Sequence, residues 1–203
     1  LQNLELGIET DLISLQEDIK NKLGISSDYL QLDNSFSKIR TDQQRIHLDN
    51  SVDPATGQKK HIYTVDGKPV LDKYGNPRSV TSVEVDKWYR ERFPNDNRSE
   101  RQKNIDTLKA EEGDKIHKDV ESIIERFVDP ATGELRAVPL PSNGITTNQA
   151  VYDKLYNYVA QVLTSYEPGT KFMTEVRLYD TKKHLSGSID FLILQKHGSP
   201  HIF

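Results

Sequence analysis

Apolar residues recur at helical spacing in three parts of the chain and alternate with polar ones in others. Over residues 4–23, Leu4, Ile8, Leu12, Leu15, Ile19 and Leu23 stand three or four apart among acids and amides, and the run stops at Gly24. This predicts an amphipathic helix whose narrow stripe either docks on the core or pairs with another chain, as a homo-oligomer or with a virion partner. From Ser26 to Asn50 the pattern is polar and weakly periodic, which reads as linker with a short helix. Asp53-Pro54, Asp66-Gly67 and Gly75-Asn76-Pro77 then punctuate short β-rich runs, a β-meander of two or three strands.

The longest helical pattern covers 101–127, with Ile105, Leu108, Ile116, Val120, Ile123 and Phe127 expected to face inward. Gly113 interrupts it at a cost of about 1 kcal/mol relative to alanine, reasonable where another backbone or a ligand comes close. A second helix is predicted at 147–165 from Val151, Leu155, Val159 and Val162. Two strands, KFMTEVRLY and GSIDFLILQ, follow Gly169. The hexapeptide VDPATG occurs twice, ending at Gly57 and at Gly133; both copies read as one kind of turn closed by a left-handed glycine, rather than as a domain repeat.

Composition narrows the chemistry. The 203 residues suffice for one main core, and the balance of 34% hydrophobic to 29% charged residues implies a polar surface with some arm-like structure. With no cysteine, disulfides and thiolate metal sites are excluded, and a metal would be held by carboxylates, histidine and water, favouring a hard cation. A net charge of −4 argues against a surface that is wholly a nucleic-acid footprint, though not against a local basic groove. No apolar run is long enough to span a bilayer and no signal-peptide pattern opens the chain, so a soluble, intracellular protein without a membrane partner is expected.

Strict alternation in the last strand puts Asp190 on one face with Leu192 and Leu194, where an unpaired carboxylate would be costly. It needs a cation, either a lysine or arginine or, the preferred reading, a metal. His117 and Glu121, four apart on the long helix, share a face and can share a metal or bond to each other, a spacing also common on plain helix surfaces. Glu175 alternates with Met173 and Arg177, which by itself reads as a solvated Glu175–Arg177 face. Lys87, Arg90, Arg92, Arg98, Arg101 and Lys103, near Trp88 and Tyr89, fit a phosphate-contacting stripe with stacking aromatics; interleaved acids fit an ordinary solvated surface equally well.

Three stretches, YGNPRSVTSVEVDKWYRER at 74–92, AEEGDKIHKDVESII at 110–124 and TEVRLYDTKKHLSGSIDFLIL at 174–194, together resemble the PD-(D/E)XK nuclease superfamily over residues 60–203. The nearest pattern is the RecB-like branch that includes the mitochondrial genome maintenance exonuclease and phage relatives. That pattern is a Ser-Val-Thr segment, a Gly-x-x-x-His-x-x-x-Glu helix (Gly113, His117, Glu121), a strand with glutamate, and a Gly-x-x-Asp strand (Gly187, Asp190). The resemblance implies an α/β, restriction-endonuclease-like mixed central sheet flanked by helices at 59–203, after an N-terminal helical arm and linker at 1–58.

It also implies a DNA nuclease using Mg²⁺ or Mn²⁺, with exonuclease action expected, in the host-cell cytoplasm or associated with a virion. Asp190 would be the central ligand and His117 another, with Glu121 and Glu175 supporting metal or substrate. Ser79 and Thr81 would touch DNA phosphates, beside Trp88 and Arg90 of the basic stripe. A D/E-x-K element is expected to begin at about position 204, so the 203 residues would lack its acid and lysine and cut DNA poorly. The alternative is a truncated or degenerate nuclease fold serving as a phage structural, assembly or DNA-binding protein.

Overall fold

The computed structural model describes residues 27–55, 57, 60–80, 82–83, 91 and 99–203. The 4–23 stripe, Thr81, Trp88 and Arg90 lie outside the described residues. In chain order the described elements are α1 (Ser27–Arg45), β1 (Ile46–Asp49), β2 (Ile62–Val65), β3 (Lys68–Pro69), α2 (Glu100–Phe127), α3 (Gln149–Thr164), β4 (Lys171–Asp180), β5 (Leu185–Leu194) and β6 (His201–Ile202). The class is α/β. Instead of one mixed sheet, the described strands form two antiparallel sheets, ordered β1-β2-β3 and β4-β5-β6. A parallel contact occurs at the isolated bridge Ser79–Ser186.

The β4-β5 hairpin is the centre of the fold. On one side Ile123, Ile124 and Phe127 of α2 join Tyr152, Val159 and Leu163 of α3 over Phe172 and Ile193. On the other, Leu32 and Phe36 of α1 cover Val176, Leu192 and Leu194. Residues 27–45 thus form one 19-residue helix rather than a linker with a short helix, because Leu32, Phe36 and Ile39 at i, i+4 and i+7 supply one apolar stripe. Strand β1 pairs with β2 across the boundary expected near 58, so α1 and β1 are built onto the core.

Side chains of α1 also finish the sheet. Gln43 accepts from Arg177 N at 2.7 Å and donates to Arg177 O at 2.9 Å, satisfying backbone groups on the edge of β4. Lys171, only 6% exposed, ion-pairs with Glu134 at 2.7 Å and Asp33 at 3.0 Å, holding β4, the 129–134 turn and α1 together. Tyr63 donates to Ser188 Oγ at 3.1 Å, tying the small sheet to β5.

Helix α2 begins at the N-cap Ser99 and α3 at the N-cap Asn148, each side chain accepting a backbone N–H of the first turn. Only the C-terminal part of α2 enters the core. Leu108 and Ile116, expected inward, are 65% and 36% exposed, and a Cβ on Gly113 would meet nothing within 4 Å. The glycine therefore answers to no close approach here. Both VDPATG copies make the same turn: the glycine N–H bonds to Asp53 O and Asp129 O, at 2.8 and 2.7 Å, with φ of 70° and 72°. Among the described residues no helix is long and apolar enough to cross a membrane.

Candidate metal centre

A backbone irregularity creates the site. Along β4 and β5 the register is continuous from Lys171–Leu194 to Asp180–Leu185, but Glu175 and Asp190, which stand opposite each other, form no ladder pair. Glu175 has φ of 49°, a left-handed conformation that costs a non-glycine residue roughly 1–2 kcal/mol. It reverses the alternation of faces. Before it, Phe172 faces α2 and Met173 faces α1; after it, Val176 faces α1. On β5, Asp190 and its neighbour Phe191 both line the cleft beneath α2.

This corrects the strict-alternation reading of the last strand. Asp190 does not share a buried face with Leu192 and Leu194; its side chain is 60% exposed and turned towards His117. The desolvation argument for a cation at Asp190 therefore fails, and what speaks for one is its neighbours. Glu175, expected on a solvated face with Arg177, instead bonds to the helix.

His117 reaches down from α2, one turn before Glu121. Its Nε2 is 2.9 Å from Glu175 Oε1, and its Nδ1 is 3.8 Å from Asp190 Oδ2, within ion-pair range but too long for a hydrogen bond. One ligand atom each from His117, Glu121 and Glu175 lie within 4.8 Å of one another. Around a hard cation with bonds of about 2.1–2.5 Å, neighbouring ligand atoms are about 3 Å apart and opposite ones about 4–5 Å. The cluster has those dimensions and a donor set of imidazole and carboxylates that suits Mn²⁺ or Mg²⁺.

Its electrostatics are unbalanced. The hydrogen bond to Glu175 raises the His117 pKa above the ordinary imidazole value against the opposing effect of burial, and the charges of Asp190, Glu175 and Glu121 add to the rise. Burial pushes the Glu121 carboxyl up, and Glu175, Glu125 and Asp190 push it further, while His117 alone draws it down. Three carboxylates facing one imidazole leave negative charge that a divalent cation would neutralise.

Ser79, expected to touch DNA phosphate, is 2% exposed; its Oγ accepts from Ser82 N at 3.2 Å and lies 3.3 Å from Ser82 Oγ. Its hydroxyl serves the turn that carries Val80 over Gly187, where an added Cβ would come within 3.1 Å of Val80 Cγ2. Gly187 of the Gly-x-x-Asp strand thus permits a close approach.

Sequence reasoning missed Asp119. It is 1% exposed and accepts from the backbone N–H groups of Thr146 and Thr147, at 2.8 and 2.9 Å, and from both hydroxyls. This clamps the entry of α3 to α2 between His117 and Glu121. Burial alone would raise its pKa, but the four bonds hold the carboxyl at about 2. The partners lie 27 and 28 positions away, and the local signal was limited to an acid on the helix's inner face. Missed too was the cleft of about 530 Å³ beside the cluster, walled by Tyr158, Tyr166, Phe191 and Phe203. Comparison with protein-family models, curated proteins and solved structures returned no match, so the assignment of this site rests on its own geometry.

Proposed function

We propose that the chain supplies the metal centre of a DNA nuclease of the restriction-endonuclease-like class, an enzyme that hydrolyses phosphodiester bonds with Mg²⁺ or Mn²⁺. The observation that carries this reading is the convergence of His117, Glu121 and Glu175 within 4.8 Å, with Asp190 beside them. The order of these residues along the chain supports it through the resemblance already described.

His117, Glu121 and Glu175 would hold the ion, with Asp190 at the rim of the set. When bound, such an ion polarises a phosphoryl oxygen and makes water a better nucleophile. The chain's own contribution is positional. Helix α2 brings an imidazole and a carboxylate on successive turns, and the left-handed Glu175 turns a third ligand towards them out of a regular hairpin. Asp119 fixes the helix segment between the two donors. The adjoining aromatic cleft gives room for the substrate on the α3 side.

The test is Mn²⁺ titration of the full-length protein with end-labelled DNA, comparing wild type with Glu175→Gln and Asp190→Asn. Metal-dependent cleavage that falls at least 100-fold in Glu175→Gln is expected. Equal degradation by all three proteins would overturn the assignment.

A second reading treats the fold as a DNA-binding or assembly component without hydrolysis. The observation in its favour is the 2.9 Å His117–Glu175 bond, which by itself pins α2 to the sheet. DNA binding unchanged by chelator, with no cleavage in Mn²⁺, would favour it.

A further inference from the structure

Away from the acidic cluster, the loop before Ser79 and the β4–β5 turn enclose a hollow of about 390 Å³ lined by Leu71, Asp72, Lys73, Tyr74, Arg78, Lys183 and His184. Lys182 stands next to it in the same turn, giving four fixed cations in a chain whose net charge is −4. The two acids of the region are committed elsewhere. Asp72 Oδ1 accepts from Tyr74 N at 2.8 Å and Asn76 N at 2.9 Å; Asp180 Oδ1 accepts from Lys182 N at 2.8 Å and Lys183 N at 3.0 Å.

Each acid still feels a cation at longer range, Asp72 that of Arg78 and Asp180 that of Lys183. Even so, no salt bridge joins Lys73, Arg78, Lys182 or Lys183 to a carboxylate among the described residues. The guanidinium of Arg78 supplies an independent observation. Its Nη2 donates to Lys183 O at 3.2 Å, whereas its Nε is shielded from solvent without a hydrogen-bond partner among the described residues. The Nη2 bond holds that guanidinium on the wall of the hollow, where its fixed charge is what attracts an oxyanion. Exposed Tyr74, with Lys73 Nζ 4.7 Å from its ring centre, adds an aromatic wall.

We propose that this hollow binds a phosphate of the nucleic-acid backbone, at a distance from the metal cluster. Its chemistry recognises a phosphate oxyanion, and the nucleic-acid source rests on the function proposed above. His184, in the turn that leads into β5, and Asp190 on that strand are six residues apart, at most about 20 Å, a span of about six phosphates along one strand of duplex DNA. The hollow would anchor substrate upstream or downstream of the cut without contributing to hydrolysis.

The experiment measures affinity for a 20-base-pair DNA by fluorescence anisotropy, in chelator, across a salt series. The exposed triple variant Lys73→Glu/Lys182→Glu/Lys183→Glu keeps the backbone N–H groups that Asp180 uses and is expected to fold. Arg78→Gln is the second variant, and near-ultraviolet circular dichroism checks the fold of both. The triple variant should bind at least tenfold more weakly, with the slope of log K against log salt flattened by about 2–3; Arg78→Gln should lose affinity in the same direction. Wild-type affinity and slope in both folded variants would overturn the proposal. So would thermal stabilisation of the wild type by inorganic phosphate, lost in the triple variant, with DNA affinity unmoved, since the hollow would then serve free phosphate. Because chelator suppresses cleavage throughout, a failure of the nuclease reading appears separately, as absence of Mn²⁺-dependent cutting.

Discussion

His117 and Glu175, 58 positions apart, meet with Nε2 2.9 Å from Oε1 because a left-handed backbone turns Glu175 out of the β4 alternation and towards helix α2. The bond has a pH signature. Since the His117 pKa lies above its unfolded value, the stabilisation is fully present below about pH 6.5 and is lost as pH rises through the folded value. With the two side chains 42% and 44% exposed, screening keeps the effect below about 1 kcal/mol. Urea unfolding of the metal-free protein should show stability falling above pH 6.5, and Glu175→Gln should flatten that fall.

Glu121 is expected to behave in opposite ways towards folding and towards metal. Its raised pKa means that the metal-free fold loses stability as pH rises above the ordinary carboxylate range. Glu121→Gln should therefore stabilise the metal-free protein at pH 7 by a few tenths to about 1 kcal/mol. In Mn²⁺ the same variant should gain less thermal stability than the wild type. Differential scanning calorimetry with and without Mn²⁺ checks both signs.

Asp119 carries the opposite pH dependence. A carboxyl held at about 2 stabilises the fold above its unfolded value near 3.8, and that stability is lost as pH falls through 2. The shift corresponds to about 2 kcal/mol. Asp119→Ala, which leaves the Thr146 and Thr147 donors without their acceptor, should cost about 2–4 kcal/mol in urea unfolding at pH 7 and remove most of the acid-side slope.

The repeated turn gives an internal control. Gly57 and Gly133 have nearly the same φ, but a Cβ at Gly133 would collide with the Phe36 ring, while at Gly57 it would meet nothing. Gly57→Ala should cost about 1 kcal/mol from backbone strain alone. Gly133→Ala should cost about 2–3 kcal/mol, since Phe36 must also shift. Gly113→Ala, in open space on α2, should instead stabilise by about 0.5–1 kcal/mol.

The elements visible in the sequence were those with a strong local period. Helices at 100–127 and 149–164, the two long strands and both VDPATG turns fall within a few residues of their expected positions. Helix α1 was obscured because, beyond its first turn, only Leu32, Phe36 and Ile39 interrupt its polar run, and their partners Val176, Leu192 and Leu194 lie over 130 positions away. His117, Glu121, Glu175 and Asp190 were all identifiable, but their arrangement was not. Period-two alternation has no marker for a glutamate in left-handed conformation, so it misplaced Asp190 and sent Glu175 to solvent. The stretch of α2 ahead of its core segment shows the converse: Leu108 and Ile116 keep the helical period without entering the core.

The most direct measurement is calorimetric titration of Mn²⁺ into the metal-free protein at neutral pH, for the wild type, Glu121→Gln and Glu175→Gln. One ion per chain, bound at least tenfold more weakly by each variant, is expected. Indistinguishable isotherms for all three proteins, or no saturable binding to the wild type, would contradict the metal centre.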